Sequence, residues 1–91
     1  IARDTPLHIA SESNTVGVAL LLLEAGASVD AAARNGATPL HRASLSNKLT
    51  AASLLLDKGA SRTLRDANGK VALDYATSRQ MRSSPAFVAA S

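Results

Sequence analysis

The chain has no cysteine and no tryptophan among its 91 residues, and Tyr75 and Phe87 are its only aromatics. Without thiols neither a disulfide framework nor a thiolate metal site can form, which fits a reducing compartment. An intracellular setting, cytoplasmic or nuclear, is therefore expected. With so few rings, the core has to be built from alanine and leucine, which suits short helices packed closely together. Long hydrophobic runs are also missing. The longest, Val16 to Leu23, falls well short of the ~20 residues that cross a bilayer. Arg3 and Asp4 lie just ahead of Pro6, and no cleavage-like apolar region follows, so no signal peptide is expected. There is no initiator methionine, and the chain starts partway through a repeating pattern, as an excised piece would. Ten basic residues accompany seven acidic ones, for a net charge of +3. They are scattered and lack the basic cluster with interleaved aromatics that marks nucleic-acid binders. Such a surface suits an acidic protein partner better than a duplex.

The residues that are present recur with a period of 33. Thr5-Pro6-Leu7-His8 returns as Thr38-Pro39-Leu40-His41, and in altered form as Val71-Ala72-Leu73-Asp74. Leu21-Leu22-Leu23 returns as Leu54-Leu55-Leu56, Gly26-Ala27 as Gly59-Ala60, and Asn35-Gly36 as Asn68-Gly69. Ala10 returns as Ala43 and Ala76. A fixed period of this size means one supersecondary unit stacked on copies of itself. Stacked units build an extended surface, not a closed catalytic cleft.

Each unit can be read from its residues. Thr38 offers a hydroxyl to cap a helix, and Pro39 at the first helical position gives up no hydrogen bond. That helix should fade near Ser46, with Asn47 taking the left-handed conformation that ends it, as Asn14 does one period earlier. A second helix is expected from about Leu49 to Lys58. Its apolar stripe would be Ala51, Leu54 and Leu55, matched by Val18, Leu21 and Leu22. Leu22 and Leu55 are expected to be buried between units. Gly26 and Gly59 close the second helices. About a dozen residues then lead to the next unit through an Asn-Gly turn.

These residues resemble the ankyrin repeat family. Its pattern, D-x-x-G-x-T-P-L-H-x-A-A followed by a leucine-rich helix and Gly-Ala, runs in one register over nearly the whole chain. The resemblance implies an all-α solenoid of helix-turn-helix units with short hairpin-like loops. One array would fill residues 1–91: a first repeat over about 1–32, a second over about 33–65, and a degenerate third over about 66–91. Ala33 replaces the usual turn aspartate that Asp66 keeps, Arg3 stands where the first turn would have glycine, and Arg42 follows the second tetrad. The third unit lacks Thr-Pro. Pro85 should delay its second helix, with Ser84 as cap and Phe87 and Val88 on the buried side. Leu7, Val18 and their neighbours would be covered by a preceding unit or by another copy, so self-association through the N-terminal end is one expectation.

As members of the family pattern, His8 and His41 look structural, tying each first helix to the neighbouring loop through backbone hydrogen bonds. No metal is expected, since a zinc site needs three or four convergent ligands. His41, Ser44 and Asp74 could be arranged as a triad on paper, but no nucleophile elbow or oxyanion motif accompanies them. Asn68-Gly69-Lys70 lacks phosphate-loop spacing. No cofactor, small-molecule substrate or catalysis is expected. The resemblance places partner-facing residues at the loop tips and the ends of the first helices: Arg34, Asn35, Arg42, Leu45, Ser46, Arg65, Asn68, Lys70, Ser78 and Arg79. Arg34, Arg65, Lys70 and Arg79, with Arg42 below them, would form a basic stripe able to grip carboxylates. Non-catalytic binding of a protein or peptide, acidic if it meets that stripe, is the expected function. The alternative is a targeting or regulatory module of a larger enzyme whose catalytic domain lies outside these residues.

Overall fold

The computed structural model describes residues 4–33, 35–77 and 79–83. The helices are α1 (Pro6–Glu12), α2 (Val16–Glu24), α3 (Pro39–Leu45), α4 (Leu49–Asp57) and a short α5 (Arg79–Arg82), with a 3₁₀ turn at Ala72–Tyr75 between α4 and α5. No strand occurs among the described residues. The expected late helix at Ser84, Pro85, Phe87 and Val88 lies outside the described residues, as do Arg3, Arg34 and Ser78.

The tetrads start the first helices through reciprocal caps. The Thr5 hydroxyl accepts from the His8 N–H at 3.3 Å, while His8 Nδ1 accepts from the Thr5 N–H at 3.1 Å. Thr38 and His41 repeat both bonds at the same distances. Each pair satisfies two groups that a helix N-terminus otherwise leaves without partners. In the third unit Val71 has no hydroxyl, and only the return half survives: Asp74 accepts from the Val71 N–H at 3.1 Å. A 3₁₀ turn forms there in place of an α-helix.

Both histidines then reach into the following unit. His8 Nε2 lies 2.7 Å from the Ala37 carbonyl, and His41 Nε2 lies 2.9 Å from the Lys70 carbonyl. A backbone N–H can only donate and a carbonyl can only accept. The network therefore assigns the proton of each neutral imidazole to Nε2 and leaves Nδ1 as the acceptor. Asp74 stands at the same phase but its carboxylate side chain has no N–H, so it cannot make the forward bond.

Between these ties the units pack in two layers. α1 lies on α3, α3 on the 3₁₀ turn, and α2 on α4. Leu7, Leu40 and Leu55 are fully buried, and Ala10, Ala43 and Ala76 keep the first-helix backbones close. Leu7, expected to rely on a preceding unit or another copy for cover, is instead buried within the chain.

The second helices differ from the expected stripe. α4 buries Ala51, Ala52 and Leu55, with Leu54 half-buried. In α2 the matching Val18 and Leu21 are 47% and 66% exposed, Leu22 is half-buried, and Ala19 takes the fully buried place. The cause is position in the stack. The first unit covers α4, whereas no described residue covers the corresponding side of α2.

The ends of the first helices also work across units. Asn14 and Asn47 hold the left-handed conformation at φ 58° and 54°, as their phase predicts. Lys48 gives α4 no side-chain cap, and Asn14 Oδ1 from the preceding unit accepts the Ala51 N–H at 3.1 Å instead. Asn47 likewise accepts from the Thr77 N–H at 3.0 Å and donates to the Thr77 hydroxyl at 2.9 Å.

Leu55→Ala is expected to cost about 2–5 kcal/mol of stability, and Leu22→Ala clearly less, because only Leu55 leaves an enclosed cavity. Urea unfolding of the two variants measures this, and equal losses would contradict it. A second expectation concerns Ser44. Its hydroxyl is buried without a hydrogen-bond partner among the described residues, whereas Ser11 at the same phase donates to the Leu7 carbonyl at 2.7 Å. Ser44→Ala should gain about 1 kcal/mol by removing a buried unpaired group, and Ser11→Ala should not. A Ser44→Ala protein that melts below the wild type would overturn this reading.

Candidate functional site

The loop tips are two copies of one turn. Ala33 N–H donates to the Ala37 carbonyl at 2.8 Å, and Asp66 N–H to the Lys70 carbonyl at 3.0 Å. Gly36 and Gly69 close the turns at φ 79° and 74°, each donating to the residue three earlier. In the third unit Asp66 Oδ1 accepts from the N–H groups of Asn68 and Lys70. Ala33 cannot do this, and Asn35 Oδ1 takes the Ala37 N–H at 3.1 Å in its place. The alanine substitution is thus repaired two residues along.

The tips also touch. Ala67 N–H donates to the Asn35 carbonyl at 2.8 Å, and a Cβ on Gly36 would stand 3.3 Å from the backbone of Asp66 and Ala67. Only glycine fits at that left-handed position so close to the next tip.

Behind the tips lies a concave pocket of about 240 Å³. Asn35 and Asn68 come from the tips, Arg42 and the 58% exposed Leu45 from α3, and Asp66 and Tyr75 from the third unit. Four of the residues expected to face a partner therefore meet here: Asn35, Arg42, Leu45 and Asn68. Ser46 is half-buried at the end of α3, and Arg65, Lys70 and Arg79 are exposed outside the lining. Arg34 and Ser78 lie outside the described residues.

The charges are engaged within the chain. Arg42 pairs with Asp4 and, at 2.9 Å, with Glu12, both in the first unit. Arg65 donates to the Gly69 carbonyl at 2.7 Å, and the Lys70 ammonium lies 5.7 Å from the centre of the Tyr75 ring. The latter distance permits a cation–π contact.

Asp66 and Tyr75 were not singled out as contact residues. Tyr75 could have been found by carrying the phase of Arg42 forward one period, since Ile9, Arg42 and Tyr75 occupy equivalent positions. Tyr75 donates its hydroxyl hydrogen to Asp66, receives a long 3.4 Å contact from the Asn68 amide, and sets its ring edge-on to His41 at 6.0 Å. The Tyr75 hydroxyl, aided by the backbone N–H groups of Lys70 and Asn68, holds the Asp66 carboxyl below its ordinary value of 3.8 against the opposing effect of burial. For Tyr75 the Asn68 amide favours the phenolate. The hydrogen bond to Asp66, burial and the charges of Asp66 and Asp74 outweigh it and raise the phenol above its ordinary value. Among the described residues no cluster of three or more His, Asp or Glu could hold a metal ion, and no helix is long and apolar enough to cross a membrane.

Because Asp66 is lowered on folding, its contribution to stability is present above its unfolded value near 3.8 and fades as pH falls through the lower folded value. Tyr75→Phe removes the main cause. The variant should be less stable than the wild type at neutral pH, and the gap should narrow as the medium is acidified below 3.8. Urea unfolding across that range measures the gap, and one that held constant or widened in acid would contradict the assignment.

The family model for ankyrin repeats (3 copies) matches residues 2–66. A search of curated proteins finds no match. The matched span contains both tetrads, both leucine triplets and the first Asn-Gly turn, all placed above in two successive helical pairs with the same caps. The chain belongs to the ankyrin repeat family.

Proposed function

We propose that the chain is a non-catalytic recognition module that binds a protein or peptide segment across its loop tips and the concave face of its first helices. Ankyrin repeats are generally protein–protein interaction modules, and a fold of this kind leaves its specificity to a few surface side chains. One observation carries the reading for this chain: an exposed leucine, Leu45, stands at a concave pocket beside the two carboxamides of Asn35 and Asn68. An apolar anchor with flanking amide donors and acceptors is what a peptide backbone and one apolar side chain require.

The acidic character of the partner is a finer part of the proposal. Arg42 already answers to two carboxylates, so a carboxylate-bearing segment would meet Lys70 and Arg65 at the outer rim before anything deeper. Rim charges of this kind set association rate and salt dependence more than affinity.

Peptides selected from a displayed random library against the immobilised chain provide the test. Leu45→Asp should weaken the selected peptides by about tenfold or more, as expected for a central apolar contact. Leu21→Asp, on the exposed side of α2 and away from the pocket, should leave binding unchanged. If acidic peptides are the ones enriched, their binding should also fall with added salt. Equal binding by the Leu45→Asp protein and the wild type would contradict the proposed surface.

A further inference from the structure

The dipeptide Asn-Gly occurs twice, in two copies of one turn, but the copies are held differently. At Asn35-Gly36 the Asn35 carbonyl accepts the Ala67 N–H at 2.8 Å, and its Oδ1 accepts the Ala37 N–H at 3.1 Å. The next tip also presses against Gly36 at 3.3 Å from a Cβ position. Among the described residues, the corresponding restraints are missing at Asn68-Gly69. The Asn68 side chain has a single long contact among the described residues, with Tyr75 at 3.4 Å, and none of them lies within 4 Å of a Cβ position on Gly69. One feature acts the other way: the Asn68 N–H is tied to Asp66 Oδ1 at 2.9 Å. Both glycine N–H groups donate to similar carbonyls, at 2.8 and 2.9 Å, so that restraint is common to the two turns.

We infer that Asn68 is a site of spontaneous deamidation and isomerisation, and that Asn35 is protected from it by the neighbouring tip. The Gly69 backbone nitrogen gives up its proton to solvent base and bonds to the Asn68 side-chain carbonyl carbon, and ammonia leaves. Water then opens the resulting succinimide at either carbonyl, giving aspartate or isoaspartate. Glycine favours this step because no Cβ hinders the attacking nitrogen and its backbone is the least restricted.

The product acts on both the pocket and the stack. Asn68 lines the pocket, so either product adds a carboxylate beside Asp66 and Tyr75. Isoaspartate also inserts an extra backbone carbon between Asp66 and Lys70. The Lys70 carbonyl accepts both the turn bond from Asp66 and the bond from His41 Nε2. Lengthening the turn therefore loosens the tie between the second and third units, whereas a normally linked aspartate adds charge alone.

Incubation of the chain in mildly alkaline buffer, with peptide mapping at intervals, tests the site. Asn68 should convert several-fold faster than Asn35, with isoaspartate as the larger product. Equal rates, faster conversion at Asn35, or conversion at neither would overturn the inference. Hydrogen exchange tests the consequence: the isoaspartate form should lose protection at the Asp66 amide, which freshly purified Asn68→Asp retains. Equal protection in the two forms would overturn the link to the stack.

Discussion

The neutral imidazole of His8, repeated in His41, is the joint on which this architecture depends. One nitrogen closes the N-terminal cap of the histidine's own helix, and the other bonds the carbonyl that ends the next unit's turn. Local helix initiation and long-range stacking are therefore made by the same ring. Each bond alone contributes about 1 kcal/mol net, but an imidazole left with a buried unpaired nitrogen would cost more than that. His8 and His41 are both buried, so the ring has little freedom to satisfy one side without the other. Apolar burial supplies the driving force through Leu7, Leu40 and Leu55, and the imidazoles fix how the buried faces are aligned.

That alignment produces the concave face. Ile9, Arg42 and Tyr75 come one from each unit, and the tips carrying Asn35 and Asn68 stand beside Arg42 and Tyr75. The character of the face changes along the stack. At the first unit it is an exposed isoleucine, at the second an arginine neutralised by Asp4 and Glu12, and at the third a tyrosine bound to Asp66. The scaffold is periodic while the concave face is not. This is how repeat arrays acquire individual partners on a shared framework.

Much of the fold could be read from residues whose role is local. Thr-Pro starts, left-handed Asn14 and Asn47, and the closing glycines each state their own backbone conformation, so the helix limits follow to within a residue or so. What could not be read were features set by neighbours. Val18 and Ala51 share a phase, yet one is exposed and the other buried, because among the described residues only α4 has a unit packed over it. The side-chain cap of α4 comes from Asn14, 37 positions earlier in the chain, and no local pattern announces it. The site was partly legible for the same reason. Phase placed Asn35, Arg42, Leu45 and Asn68 near one another, but whether a charge is met inside the chain depends on Asp4 and Glu12 one unit away. Asp66 reads as a turn residue in the sequence, and the structure adds its bond to Tyr75 at the pocket.

The most direct measurement is the nitrogen chemical shifts and couplings of the two imidazoles in isotopically labelled protein at neutral pH. Both rings should be neutral with the proton on Nε2, and through-bond couplings should connect His8 Nε2 to the Ala37 carbonyl and His41 Nε2 to that of Lys70. Either ring found with its proton on Nδ1, or charged, would contradict the joint described here.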